Sequence, residues 1–588
     1  MPTPHSSQNQ LPLAIVGMDC RLPGGDGLQE FWQSISTGRD AIRPMPAERL
    51  DRELYLGEEG QRGKTYAAIG GCVDDRELDW KLLRIAPDDR ANWDACHLNL
   101  YEVAARACRD AGLNPLSMEG SNIGVYVGHS GGTTLGGELA MQSLAPEYET
   151  LLADAIGDRK IASDLLSDFL ASRPRRKGGR PFVDASFSAG LVSHALGLRG
   201  PHMSIDAACA SSLVALQLAA SAIQTNQIDA AIVGGASYNK SDSLVLFSHA
   251  RSCSATGSRP FDQEADGLVG SEGYVALVVK SLDRALRDGD RIHAIVRGIG
   301  MSSDGRGKSL WAPRKEGQFT AIQRAYDNAL RPESIQFIEA HATSTQVGDA
   351  TELTALADFY RQYNAAGPAI PVGSVKSNIG HTLETAGLAG IVKTILAMQH
   401  HLVPPSINVR QLNSSVRWEG GPLVVNTQPK ELTPGGDCLR AAVNAFGIGG
   451  LNVHVVLEEG PSVQAAREQP IATNTHVSSH YEPESPPVVV GRGIVVPGAK
   501  SVAQLVQLAG DKRVVRSTQG GNRNTTNALQ LGYVSDFHYD WRKHRIPPKQ
   551  IAQANPLQFM LLDAAQQAIE EAGGLSDTAR KRTAVVVG

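Results

Sequence analysis

The chain has 588 residues, 42% hydrophobic and 20% charged, enough apolar material for a large buried core in an ordinary globular protein. A formal charge of −5 with scattered basic residues excludes a surface built for nucleic acid or anionic membrane, so small molecules and proteins are the expected partners. No stretch reaches the eighteen or so apolar residues of a membrane span and the N-terminus lacks a signal peptide's regions, while seven irregularly spaced cysteines without a C-x-x-C pair argue against a disulfide framework or zinc site; a reducing cytoplasm is expected.

Residues 13 to 459 read as one α/β region. The apolar runs LAIVG, IGVYVG, AAIVGGA, VALVVK and AIVRGIG predict strands, separated by helical patterns and glycines, and this alternation favours layered sheets covered by helices. GPHMSID predicts a short buried strand that turns, through the small residues around Cys209, into the apolar helix VALQLAASAI. A thiol at a helix start lies beside unpaired N–H groups and the positive end of the dipole, which lower its pKa and can hold an oxyanion. A lone Cys among alanines is as readily a packing residue, so the chemistry needs a partner. Two histidines supply one: His341 in IQFIEAHATST and His381 in PVGSVKSNIGH each follow an apolar strand and adjoin small or hydroxylated residues, where open α/β sheets build their sites. The forty residues between them, without a carboxylate at helical ligand spacing, speak against a metal. Asp349 and Glu352 open the next helix and read as helix-end charges rather than acid–base groups. The glycines of DGLVGSEG and GIGG lack the strand–G-x-G-x-x-G–helix setting of a dinucleotide site.

From 460 to 487 the composition turns to Pro, Ser, Thr and Glu without apolar period, as a linker would. Beyond it the chain echoes its own opening. PPVVVGRGIVVPGAKSVAQLVQLAG follows the plan of LPLAIVGMDCRLPGGDGLQEFWQSIS, and the last thirty residues parallel the stretch ending at Gly128. Residues 488–588 are therefore expected to be a truncated second copy, and the chain a fragment of something longer.

SIDAACASSL, EAHATSTQVGDATE, GSVKSNIGHTLETAGLAG and NAFGIGGLNVHVVLEE, in this order, closely resemble the β-ketoacyl synthases of fatty-acid and polyketide synthases, as do GMDCRLPGG and RPFDQEADGLVGSEGY. The resemblance spans residues 11–459 and implies a thiolase-like α/β fold of five alternating layers, αβαβα, built from two similar halves, usually in a homodimer. It implies a decarboxylative Claisen condensation of a Cys-bound acyl chain with a malonyl-type extender. Cys209 would be the nucleophile, His341 and His381 the pair that promotes decarboxylation, and Lys376 their electrostatic support, with a loop ion pair to Glu384 or Glu352 as its structural alternative. The N–H groups of Cys209 and Ile448 would form the oxyanion hole, with Ile448 also at the gate position. Thr343 and Thr345 would contact the phosphopantetheine arm of an acyl carrier protein, unless they only cap the turn. No cofactor or metal of its own is implied. Ala342, Ile448 and Leu451 depart from the family's usual Gly, Phe and Thr, and WDACHLNLYEVA lacks its Asp-Pro-Gln, which bears on chain selection more than on catalysis. A degradative thiolase would need a second catalytic cysteine. A non-catalytic, chain-length-factor-like pairing module would lack Cys209, so it fits the second copy better than the first.

Overall fold

A computed structural model describes residues 12–131, 133–171, 184–307, 309, 311–327, 330–363, 367–434, 438–461, 487–515, 517–518, 530–532, 534, 537–544 and 546–587. The chain divides into two compact units, Met1–His476 and Val477–Gly588. The stretch expected as a linker lies, from 462 to 486, outside the described residues. No helix among the described residues is long and apolar enough to cross a membrane, and all seven cysteines are free.

In the first unit the expected strands form and join one twelve-stranded sheet. In chain order its main strands are β1 Leu13–Leu22, β2 Ile123–Gly128, β3 His202–Ile205, β4 Ala230–Ser237, β5 Gly273–Ser281, β6 Ala294–Ser303, β7 Phe337–Glu339, β8 Ile370–Gly373, β9 Leu423–Val425, β10 Arg440–Phe446 and β11 Leu451–Glu459. Their spatial order is β9-β8-β7-β10-β11-β6-β1-β5-β4-β2-β3. β1 meets β6 only through Leu13–Ile15 against Ala294–Val296. On either side of that short junction the same arrangement repeats. Leaving out β9, each side runs third, second, fourth, fifth, first strand, with two parallel junctions followed by two antiparallel ones.

Side-chain alternation along the strands builds the layers. Leu13 and Ile15 of β1, and Val275, Leu277 and Val279 of β5, enter one core; Ala14, Val16, Ala276 and Val278, between them, enter another. In the second half Ala441, Val443 and Ala445 of β10 share the first core, whereas Ala442 faces a third. The shared core is filled by two central helices, α3 Ser211–Gln224 and α6 Ala386–Gln399, whose runs of Ala, Leu, Ile and Val are apolar almost all round, as helices buried on every side must be. Outer helices cover the remaining faces: α1 Ala95–Asp110 and α2 Ser186–Leu196 on the first sheet half, α4 Lys315–Arg324 and α5 Gln346–Tyr360 on the second. The order helix, sheet, helix pair, sheet, helix is the five-layered one expected. A side chain at Gly387 would place its Cβ 2.4 Å from Leu213, so this glycine lets α3 and α6 pack closely. One expectation fails: β3 is not buried. Among the described residues it is the outermost strand of its half, with β2 its one neighbour, and His202 and Met203 are exposed.

The second unit contains α7 Val502–Gly510 and α8 Pro556–Glu571. Its likeness to the opening of the first unit extends to contacts. α1 and α8 both have 16 residues, and each is capped by an acidic or amide side chain, Asp94 or Asn555. Gly17 of β1 sits where a Cβ would strike the Ala107 carbonyl and Ala111; Gly491 sits likewise against the Ala568 carbonyl and Ala572. The expected second-copy strand VVV does not form, and Val488 to Val490 are exposed. A strand needs a partner to pair its N–H and C=O groups, and none lies beside this run among the described residues.

Candidate active site

Cys209 lies four residues beyond β3 and two before α3. The chain turns there through Ala208, held at a positive φ of 50°, a strained conformation for alanine. The Ser211 hydroxyl closes the turn, accepting from the Ala207 N–H at 2.8 Å and donating to the Ala208 carbonyl at 2.6 Å. The Ile448 N–H and Cys209's own N–H both act on the sulfur to lower its pKa. This requires the Ile448 loop to pass close by, and it does so at Gly447, where a Cβ would lie 2.5 Å from the Ala207 carbonyl.

The expectation of a lowered thiol pKa is overturned. Burial, reinforced by the Glu384 carboxylate, outweighs the two N–H groups and the Lys376 cation, and the Cys209 thiol is pushed up to about 11. The helix start therefore serves chiefly as a donor of hydrogen bonds.

His341 and His381 emerge from the same edge of the parallel neighbours β7 and β8. Their rings meet edge to face, 5.4 Å between centroids. Sγ of Cys209 and one ring nitrogen from each histidine lie within 4.8 Å of one another. Burial, and secondly the Lys376 cation, push both imidazoles well below 6.5, so both are neutral at physiological pH and each carries one N–H to donate. Both ring nitrogens of His381 and Nδ1 of His341 are buried without a protein hydrogen-bond partner. One thiol and two imidazoles could suit zinc by softness, but among the described residues no carboxylate or carbonyl is bonded to Nδ1 of His341 or to either ring nitrogen of His381, and the Lys376 cation acts on both rings. The arrangement fits an anionic oxygen on a substrate better than a divalent cation.

Lys376 is buried and its pKa is lowered, again by burial first. The carboxylates weighed as its ion-pair partners are engaged elsewhere. Glu352 accepts the N–H groups of His341 and Ala342 and the Asn444 amide, all at 2.7 Å, while Glu384 accepts the hydroxyls of Ser130 and Ser237. Asp349, pushed up to about 7 by burial, takes the N–H groups of Thr343 and Phe261, both at 2.9 Å. Asp349 and Glu352 thus stand at the start of the helix as expected, and are in addition buried braces of the His341 loop. Sequence reasoning missed this bracing role and that of Asn444. The available signal was position: both acids follow His341 closely enough on α5 to fold back onto its loop.

Two cavities meet at Cys209 and Ile448. One, about 400 Å³, is lined by His341, His381, Thr343 and Thr345, whose hydroxyls are 3.1 Å apart. The other, about 370 Å³, is lined by His129, Ser130, Ser237 and Glu384, of which only Glu384 stands out in the sequence, as an ion-pair alternative for Lys376.

Comparison with known proteins agrees with this geometry. The beta-ketoacyl synthase N-terminal domain matches residues 10–285 and again 485–588, the C-terminal domain 293–410, and the ketoacyl-synthetase C-terminal extension 413–493. The chain is 36% identical over 464 residues to the pikromycin polyketide synthase component PikAIII of Streptomyces venezuelae, covering 77% of this chain and 28% of that protein. It is 36% identical over 461 residues to the PKS-NRPS hybrid synthetase ATPKS of Aspergillus niger, covering 76% and 23%. The chain therefore spans about a quarter of these relatives' length. The ketosynthase from module 6 of the bacillaene synthase of Bacillus subtilis 168 superposes with a TM-score of 0.64 at 32% identity, covering 76% of this chain and 72% of that one. A solved PfaC keto synthase–chain length factor superposes with a TM-score of 0.81 at 26% identity, covering 96% and 60%. Sheet order, layers, matched residues and relatives converge, and the chain belongs to the β-ketoacyl synthase family, the carbon–carbon bond-forming condensing domains of polyketide synthases.

Proposed function

We propose that residues 11–459 act as a 3-oxoacyl-[acyl-carrier-protein] synthase, in a polyketide or iterative fatty-acid pathway, with Cys209, His341 and His381 as catalytic residues. The observation that carries this reading is the convergence of one thiol and two neutral, unpartnered imidazoles within 4.8 Å in a single cavity. In the first half-reaction the Cys209 sulfur attacks the thioester of an acyl carrier protein. An S–C bond forms, the carrier's C–S bond breaks, and the thiol proton leaves with the carrier's thiolate. In the second, a malonyl-type extender on the carrier loses CO₂. The electron pair of the broken C–C bond becomes an enolate, whose oxygen accepts from His341 and His381. Its carbon attacks the acyl carbonyl, whose oxyanion accepts from the N–H groups of Cys209 and Ile448, each donor worth about 3 kcal/mol in such sites. Collapse expels the Cys209 thiolate, which takes a proton from solvent.

Burial, and after it Lys376, keeps both imidazoles neutral, so that each can donate to an enolate oxygen. Thr343 and Thr345 flank the cavity as contacts for the phosphopantetheine arm. That arm belongs to the carrier; the condensing domain carries no cofactor of its own. The seven free cysteines support a reducing, cytoplasmic setting. The open edge of β3 supports a homodimer. Residues 488–588, joined through 460–487, read as the opening of a second, chain-length-factor-like copy, supported by the repeated glycine–helix contact and by the likeness to the paired PfaC structure.

Incubation with an acyl-carrier thioester followed by peptide mass spectrometry tests the assignment. An acyl adduct on the Cys209 peptide, absent from Cys209→Ala, is expected; a folded wild-type chain that forms no adduct at any acyl length would favour the non-catalytic pairing reading.

A further inference from the structure

The second cavity has a lining that the condensation alone does not explain. An alkyl chain is best received by Leu, Val, Ile and Phe walls with few polar groups. Here the lining shared with the nucleophile includes a carboxyl, two hydroxyls and an imidazole: Glu384, Ser130, Ser237 and His129. Ser237 is 1% exposed and His129 5%. Ser130 and Ser237 both donate to Glu384, the latter at 2.9 Å, and His129 is fixed by Ser188 at 3.1 Å. Apolar surface enters toward the open side, where Leu246 is 60% exposed beside Phe247.

The place of Glu384 along this cavity follows from its chain position and its field. It is three residues beyond His381, and the Ser237 hydroxyl that holds it also reaches the Thr382 carbonyl at 2.7 Å. After burial, its charge is the strongest influence on the Cys209 thiol, which requires a short separation. Burial also raises the pKa of Glu384 itself. Each Glu384 oxygen accepts one serine hydroxyl and keeps acceptor capacity for a further hydroxyl on a bound chain.

We propose, resting on the ketosynthase reading, that this chamber takes the acyl chain on Cys209 and selects chains bearing an oxygen on the β-carbon, 3-hydroxyacyl groups above all, with Glu384 as the specificity-determining residue. A β-oxygen lies close to the thioester, at the level where these polar groups cluster. A saturated chain laid over the same groups removes their water and returns no hydrogen bond, a cost that one hydroxyl on the chain offsets. The class of reaction that supplies such a chain is reduction of a β-keto thioester that stops at the alcohol, before dehydration.

The test is a competition. The full 588-residue chain is incubated with equimolar 3-hydroxyhexanoyl and hexanoyl pantetheine thioesters, and the two adducts on the Cys209 peptide are compared by mass spectrometry. Wild type is expected to favour the hydroxy chain by about five- to tenfold, the worth of one neutral hydrogen bond. Glu384→Leu should bring the ratio to one or below, whereas Glu384→Gln, whose amide oxygen can still accept, should keep a preference. Equal loading by wild type, or a ratio unchanged in Glu384→Leu, overturns the selection while leaving the ketosynthase reading intact. Absence of both adducts overturns both readings. Should Glu384→Leu fail to fold, the wild-type ratio decides.

Discussion

Cys209 keeps its proton at neutral pH because burial of the sulfur costs more than two N–H groups and a nearby lysine return. With the folded pKa raised to about 11, the thiolate fraction grows tenfold with each pH unit below that value. Alkylation of Cys209 by iodoacetamide is therefore expected to accelerate steadily from pH 7 to 10. A thiol near its ordinary pKa, about 8.5, would level off above pH 9, and such a plateau would contradict the burial argument. In the sequence, the residue types and their strand-to-loop settings were legible for Cys209, His341 and His381. The sign of the thiol's shift was not. It depends on how deeply α3 is sandwiched between sheets and on Glu384, which lies 175 positions further along the chain. The bracing by Asp349 and Glu352 was hidden for a similar reason: spacing identifies a helix end, and only the fold shows that this end is buried.

Two elements carry the geometry of the site beyond the residues that do the chemistry. The Gly447–Gly450 loop delivers the Ile448 N–H, and its approach to Ala207 leaves no room for a Cβ. Gly447→Ala should move that donor away and slow condensation by about 100-fold, the scale of losing one oxyanion donor. Near-normal kinetics in that variant would remove Ile448 from the oxyanion hole. Beneath the histidines, Lys393 pairs with Glu339 at 2.7 Å with both side chains buried, and Glu339 also accepts the Val375 N–H at 2.6 Å, tying β7 to the Lys376 segment. Removing one member strands the other charge, so Lys393→Met should lose about 3–5 kcal/mol in urea unfolding, and the double change with Glu339→Gln much less. A single variant as stable as wild type would show the pair to be slack. Strands such as LAIVG and IGVYVG were readable from apolar runs ending in glycine. HMSI passed for a buried strand because so short a segment has too little period to separate edge from centre.

At the scale of the molecule, the two halves share one strand order, and α3 and α6 fill the layer between them. Two such halves were expected from the family resemblance, not from periodicity. Periodicity marks each strand's faces but does not say which strands are neighbours. The same topology leaves β3 as an open edge with Met203 exposed, and the homodimer proposed above would be closed there. Sedimentation should give twice the chain mass, and Met203→Lys should shift it toward monomer; an unchanged dimer would place the interface elsewhere. The central claim is that Cys209, His341 and His381 together make a carbon–carbon bond. Its most direct test is to load Cys209 with an acyl group, add a malonyl-carrier thioester, and follow thioester products by mass spectrometry. The account predicts a β-ketoacyl thioester two carbons longer than the loaded chain, one CO₂ released for each, and a free thiol restored at Cys209. Decarboxylation or hydrolysis of the malonyl thioester while the acyl group stays on Cys209 would contradict it.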